Sequence, residues 1–117
     1  MPKPEDPIVK DSYSTLIQAV QEITRRIVSV AHPQRVVLFG SAVKGNFTPD
    51  SDLDFLVIVR PPVHRRKLAQ QIYRELHGVG VPVDVVVATT EDVEKYRSRV
   101  GTILRPALQE GQVLFEA

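Results

Sequence analysis

The chain has 117 residues, 43% of them hydrophobic and 25% charged, with a net charge of +1 and no cysteine. That is enough for one domain of ordinary globular composition. It excludes disulfides, thiolate catalysis and cysteine-ligated zinc, and it gives no bulk electrostatic argument for nucleic acid or membrane. No apolar run is long enough to span a bilayer and the N-terminus lacks the apolar core of a signal peptide, so the expected location is cytoplasmic.

Residues 1–10, which include Pro2, Pro4 and Pro7, read as a disordered lead-in, and 11–117 as one folded domain. From Asp11 the pattern is helical: Tyr13, Leu16, Ile17, Val20, Ile23, Ile27 and Val30 recur at three- and four-residue spacing. Asp11 or Ser12 can cap this helix and His32-Pro33 ends it. A strand over Arg35–Phe39 follows, then turn-forming residues around Asn46–Ser51, then a second strand over Leu53–Val59. Pro61-Pro62 should open a helix running to about Leu76, with Leu68, Ile72 and Leu76 inward. A third strand, Val81–Ala88, carries Asp84 inside a run of five valines. Thr90-Glu91-Asp92-Val93 reads as a capping box for a short helix. Val100, Ile103, Leu104, Ala107 and Leu108 give a last helix, which Pro106 either kinks or restarts. Val113-Leu114-Phe115 closes the chain as a strand. The order is that of an α/β (α+β) domain with helices packed on a small mixed β-sheet. The thirteen-residue link between the first two strands leaves their relative direction open.

The informative stretch is Val36–Val59. Gly40-Ser41 follows the first apolar run, ten residues intervene, and Asp52-Leu53-Asp54 opens the second. Side chains alternate along a strand, so Asp52 and Asp54 share a face and repel each other unless a cation lies between them. Magnesium, a hard ion that shares oxygen ligands with phosphates, is the natural candidate. Gly40 allows a tight turn, and a short helix over residues 42–46 would aim free N–H groups and the Ser41 hydroxyl at an anion. Lys44 can add a point charge on a phosphate. A charge in a valine run should be paired or functional, and Asp84, on a strand beside the second, could reach the pair. Three carboxylates would then hold two metal ions roughly 3.5–4 Å apart, as in-line phosphoryl or nucleotidyl transfer requires, with Asp84 also able to act as general base. The plainer alternative is that Asp52 and Asp54 are strand-edge residues and Asp84 a strand cap. Asp50, after Pro49, reads as a turn residue.

Rival motifs fail. Gly40-Ser41-Ala42-Val43-Lys44-Gly45 has the opening of a P-loop, but Asn46-Phe47 replaces its Lys-Ser/Thr, and no G-x-G-x-x-G occurs. His32, His64 and His77 lack the close pairing of metal sites, and Ser41 has no supporting histidine. Arg60, His64, Arg65, Arg66 and Lys67 form the one basic concentration, read first as a solvated helix start and second as a docking surface.

With Gly40-Ser41, Asp52-Leu53-Asp54 and Asp84 in this order, the chain resembles the DNA polymerase β-like nucleotidyltransferases. Its ending, Ala107–Phe115, resembles that of the minimal nucleotidyltransferase (MNT) branch. The resemblance implies that Gly40 and Ser41 hold a triphosphate, that Asp52 and Asp54 bind magnesium, and that Asp84 completes the site and activates the acceptor. It also implies a HEPN-domain protein as partner. In such toxin–antitoxin pairs the nucleotidyltransferase is the antitoxin and transfers AMP from ATP to a tyrosine of the HEPN ribonuclease. Many relatives carry arginine directly after Gly-Ser, where this chain has Ala42 and Val43. Two other functions stand beside this one: a non-catalytic antitoxin acting by contact, and nucleotidyl transfer to a small molecule. Nucleic-acid polymerisation ranks last, for want of an extended basic surface. Association with itself or with the partner is open.

Overall fold

A computed structural model of the chain describes residues 7–45, 48, 50–96 and 104–117, with side chains from residue 15 onward other than those of residues 96 and 105. Its elements are α1 (Pro7–Ala31), β1 (Arg35–Phe39), α2 (Ser41–Lys44), β2 (Leu53–Val59), α3 (Arg65–Glu75), β3 (Val83–Thr89), α4 (Thr90–Tyr96), α5 (Leu104–Glu110) and β4 (Gln112–Glu116). The four strands form one mixed sheet in the order β3-β2-β1-β4. β1 runs antiparallel to both β2 and β4, whereas β2 and β3 are parallel and joined through α3. This is the α+β arrangement expected from the sequence, and it resolves the direction of the first two strands.

The second strand is buried on both faces, which explains its unbroken apolar run rather than an alternating one. On one face Leu53, Phe55, Val57 and Val59 pack with Val36 and Leu38 against Ile23 and Ile27 of α1 and Ile72 and Leu76 of α3. On the other, Leu56 and Ile58 join Val37, Ala88 and, from α5, Leu104 and Ala107. Ile23, Ile27, Phe55 and Ile72 are completely buried, and each such side chain contributes about 1.5–3 kcal/mol of burial. Arg26 of α1 ties the two helices of the first layer together. Its guanidinium donates to the Glu75 and His77 carbonyls at the end of α3 and pairs with Glu22, placing positive charge where a helix's unpaired carbonyls gather.

Several boundaries differ from those the sequence suggested. α1 opens at Pro7, within the stretch expected as lead-in, so Asp11 and Ser12 lie inside the helix instead of capping it. Proline is well tolerated at a first helical position. α3 starts at Arg65, not at the prolines: His64 stays extended (φ −93°, ψ 100°), and its ring accepts the Lys67 N–H at 3.2 Å. β3 begins after Pro82, whose carbonyl accepts the Leu53 N–H at 2.9 Å. The capping box of α4 sits one residue earlier than expected. Thr89 Oγ1 accepts the Asp92 N–H at 3.0 Å, and Asp92 accepts the Thr89 N–H at 2.9 Å. Pro106 is the third residue of α5 as described, within its first turn, where proline is tolerated. Val100 and Ile103 fall outside the described residues.

Gly111 is required by packing. A Cβ there would collide with the Ala107 carbonyl and with Val37 and Leu38 of β1, so the bare backbone lets α5 turn closely over the sheet into β4.

Candidate active site

The site forms where β1 ends and β2 begins. Phe39, the last residue of β1, lies across from Asp54, and Asp54 lies in parallel register with Asp84. Alternation puts Asp54 on the face of Leu56 and Ile58, and Asp84 on the face of Val86 and Ala88. These are the residues of the core beneath α5, so both carboxylates belong to the α5 side of the sheet. Asp52 precedes the strand, behind a turn in which the Ser51 N–H bonds the Thr48 carbonyl at 2.9 Å and Ser51 Oγ accepts the Thr48 N–H at 3.0 Å. Asp52 and Asp84 are exposed and Asp54 half-buried.

Burial raises the pKa of Asp54, and the charges of Asp84 and Asp52 raise it further. Asp54 is thus the carboxylate on which the other two bear. None of the ion pairs among the described residues includes any of the three. The three side chains do not yet converge: among the described residues no three carboxylates or histidines stand together as a group able to hold a metal ion. The chemistry of the donor set still fits a hard divalent cation. It is all oxygen, it is negatively charged on two adjacent strands, and its members repel one another without an internal counter-ion.

Gly40 and Ser41 arrive on the same side through the turn into α2. Gly40 takes φ +80° and ψ −150°, a conformation restricted in practice to glycine. It is the N-cap of α2, so the helix begins at Ser41 and not after it. The N–H groups of Val43 and Lys44 both return to the Gly40 carbonyl at 3.1 Å, leaving those of Ser41 and Ala42 without an intrahelical acceptor. A Cβ on Gly40 would strike the Asp54 carboxylate, so the glycine is needed by the site itself before any ligand is considered. Lys44, expected on a phosphate, has its Nζ 3.8 Å from Glu110 Oε1 of α5, with both side chains largely exposed. A cavity of about 200 Å³ opens beside this pair, lined by Phe39, Gly40, Val43, Lys44, Pro106 and Glu110.

One residue of the site was not anticipated. Tyr73 of α3 donates its hydroxyl to Asp84 Oδ1 at 3.2 Å and accepts the Val85 N–H at 2.8 Å. Burial raises the pKa of its phenol and the negative charge of Asp84 adds to this, while the Val85 N–H opposes them. The basic concentration at the start of α3 is partly consumed by structure. Arg65 pairs with Asp92 at 2.6 Å and His64 caps the helix.

A strand, a glycine turn into a short helix and a second strand opening on paired carboxylates define a nucleotidyltransferase-type domain. The chain belongs to the nucleotidyltransferase domain family, whose model matches residues 15–108. Two solved structures share the fold. A candidate nucleotidyltransferase from Sulfolobus solfataricus aligns with a TM-score of 0.63 and 16% identity, covering 97% of this chain and 90% of that one. A toxin–antitoxin structure with AMP-PNP aligns with a TM-score of 0.54 and 22% identity, covering 82% of this chain and 73% of that one. At these identities the likeness to both neighbours is one of fold. No curated protein matches the sequence at a significant level.

Proposed function

We propose that this protein is a magnesium-dependent nucleotidyltransferase that moves a nucleoside monophosphate, AMP from ATP, to a hydroxyl on a partner protein. In this reading it acts in the cytoplasm as the antitoxin of a toxin–antitoxin pair whose toxin is a HEPN-domain protein. The observation that carries the reading is the placement of Asp54, flanked by Asp52 and Asp84 and fitted into the room left by Gly40. The toxin–antitoxin neighbour, solved with AMP-PNP, supports the choice of an adenine nucleotide and of a toxin as partner. Among the described residues no helix is long and apolar enough to cross a membrane.

Asp52 and Asp54 would hold the cation from one strand, and Asp84 would join them from the next. When bound, magnesium supplies charge neutralisation of the triphosphate and a lowered pKa for the attacking hydroxyl. The Ser41 and Ala42 N–H groups and the Ser41 hydroxyl would bind phosphate oxygens, with Lys44 released from Glu110 to add charge. Asp84 would accept the acceptor's proton as its oxygen attacks the α-phosphorus and pyrophosphate departs.

The test is transfer from α-labelled nucleotides to the co-purifying or gene-adjacent partner in the presence of magnesium. Label on the partner that disappears with Asp52→Asn and with Asp54→Asn is the expected result. A partner that is bound and silenced without label would replace the enzymatic reading with inhibition by contact.

A further inference from the structure

Tyr73 follows the buried Ile72 on α3, the helix packed on the face opposite the carboxylates, and is itself 41% exposed. Its hydroxyl nevertheless reaches Asp84, whose neighbours along the strand, Val86 and Ala88, belong to the α5 face. The topology permits this because β3 is the edge strand of the sheet, so the ring can pass around its unpaired side. There the phenol oxygen accepts the Val85 N–H, which β2 leaves unclaimed, and a buried or half-buried amide of this kind needs an acceptor. With its oxygen anchored to the backbone, the single phenol proton is directed at Asp84 Oδ1. Among the described residues Asp84 has no cationic partner, and Tyr73 is the side chain that holds it by a hydrogen bond.

We propose that Tyr73 is the positioning residue of Asp84: by binding Oδ1 from the edge of β3 it fixes the carboxylate's rotamer and leaves the second oxygen free for a cation or for the acceptor's proton. The assignment rests on the nucleotidyl-transfer reading above and deepens it. An aspartate on an exposed edge strand loses rotational freedom when it is ordered, and a phenol locked to the neighbouring amide supplies that order for Asp84, while the donor set still has to close around a cation. The hydroxyl itself touches no reacting atom.

The experiment compares wild type, Tyr73→Phe, Asp84→Asn and the double variant in nucleotide transfer and in affinity for Mn²⁺. Tyr73→Phe should lower kcat by about tenfold, in the range of lost second-layer hydrogen bonds at metal sites, with the KM for ATP within about twofold. It should weaken Mn²⁺ binding in the wild-type background and leave it unchanged in the Asp84→Asn background, because its effect passes through that carboxylate. A Tyr73→Phe protein with wild-type kcat, or one that weakens Mn²⁺ equally in both backgrounds, overturns the proposal and leaves Tyr73 as a cap on Val85. A wild-type protein that neither transfers label nor binds Mn²⁺ removes the nucleotidyl-transfer reading, and this proposal with it. Should Tyr73→Phe fail to fold, 3-fluorotyrosine at position 73 keeps the ring and both hydrogen bonds while making the hydroxyl a stronger donor. It should change Mn²⁺ affinity in the wild-type background and leave it unchanged beside Asp84→Asn, and the same effect in both, or none in either, contradicts the assignment.

Discussion

The space that a side chain on Gly40 would occupy is filled by the carboxylate of Asp54. Gly40 lies in the turn after β1 and Asp54 in β2, and their fit joins the turn that would face a phosphate to the carboxylate that would face a metal. Gly40→Ala should therefore cost stability through its backbone, at φ +80° and ψ −150°, by about 1–3 kcal/mol. The larger loss should be in activity, because Asp54 must swing away to admit the methyl group. Thermal melts and transfer assays on the same preparation check this. Nucleotide transfer should fall by about 100-fold or more, out of proportion to the change in melting temperature.

Asp54 should weaken the metal-free fold. Its pKa is raised by burial and by Asp84 and Asp52, so the folded state binds this proton more tightly than the unfolded chain does. Its ionisation accordingly works against folding once the pH rises past the usual carboxylate value, and the penalty is complete above the folded value. Asp54→Asn should melt higher than wild type at neutral pH without divalent cation. The gap should close on acidification towards pH 3.8, the ordinary aspartate value, and magnesium should raise the melting temperature of wild type alone. Transfer should meanwhile be lost, a division between stability and function expected where like charges are gathered for a ligand.

Asp92 has the opposite sign. Burial pushes its carboxyl up, but the Thr89 N–H and the Arg65 guanidinium outweigh that and hold it below its ordinary value of 3.8. Its contribution is thus present at neutral pH and is lost as the pH falls below that value. Asp92→Ala should cost about 1 kcal/mol at pH 7, mostly from the helix cap, since Arg65 is too exposed to add much. In urea titrations the difference from wild type should shrink below pH 4.

The strands and the carboxylates were legible because their signals are local. Leu53–Val59 is a continuous apolar run bounded by polar turns, and two aspartates spaced by one residue must share a face. The caps were less legible. Thr89 and Thr90 both stand at the start of α4, but only Thr89 has an acidic residue three positions on, and that difference sets the register. Apolar spacing located the packed part of α1 yet not its start, because a helix can extend past its buried stripe. Tyr73 escaped because its partner is Asp84, beyond the local spacing of its own helix and in another layer. The available hint was a hydroxyl-bearing aromatic beside Ile72, on a helix leading directly into the strand with the lone aspartate. In the sequence Gly40 reads as serving a ligand, whereas its nearest demand comes from Asp54, a contact visible only once β1 and β2 are paired.

In the proposed function Asp54 and its neighbours gather a magnesium nucleotide beside the Gly40 turn. Calorimetric titration of ATP into the purified protein, with and without magnesium, and again into Asp54→Asn, tests it directly. Binding that requires magnesium and disappears in the variant is the predicted result. ATP binding that is the same without magnesium, or undiminished in Asp54→Asn, would contradict it.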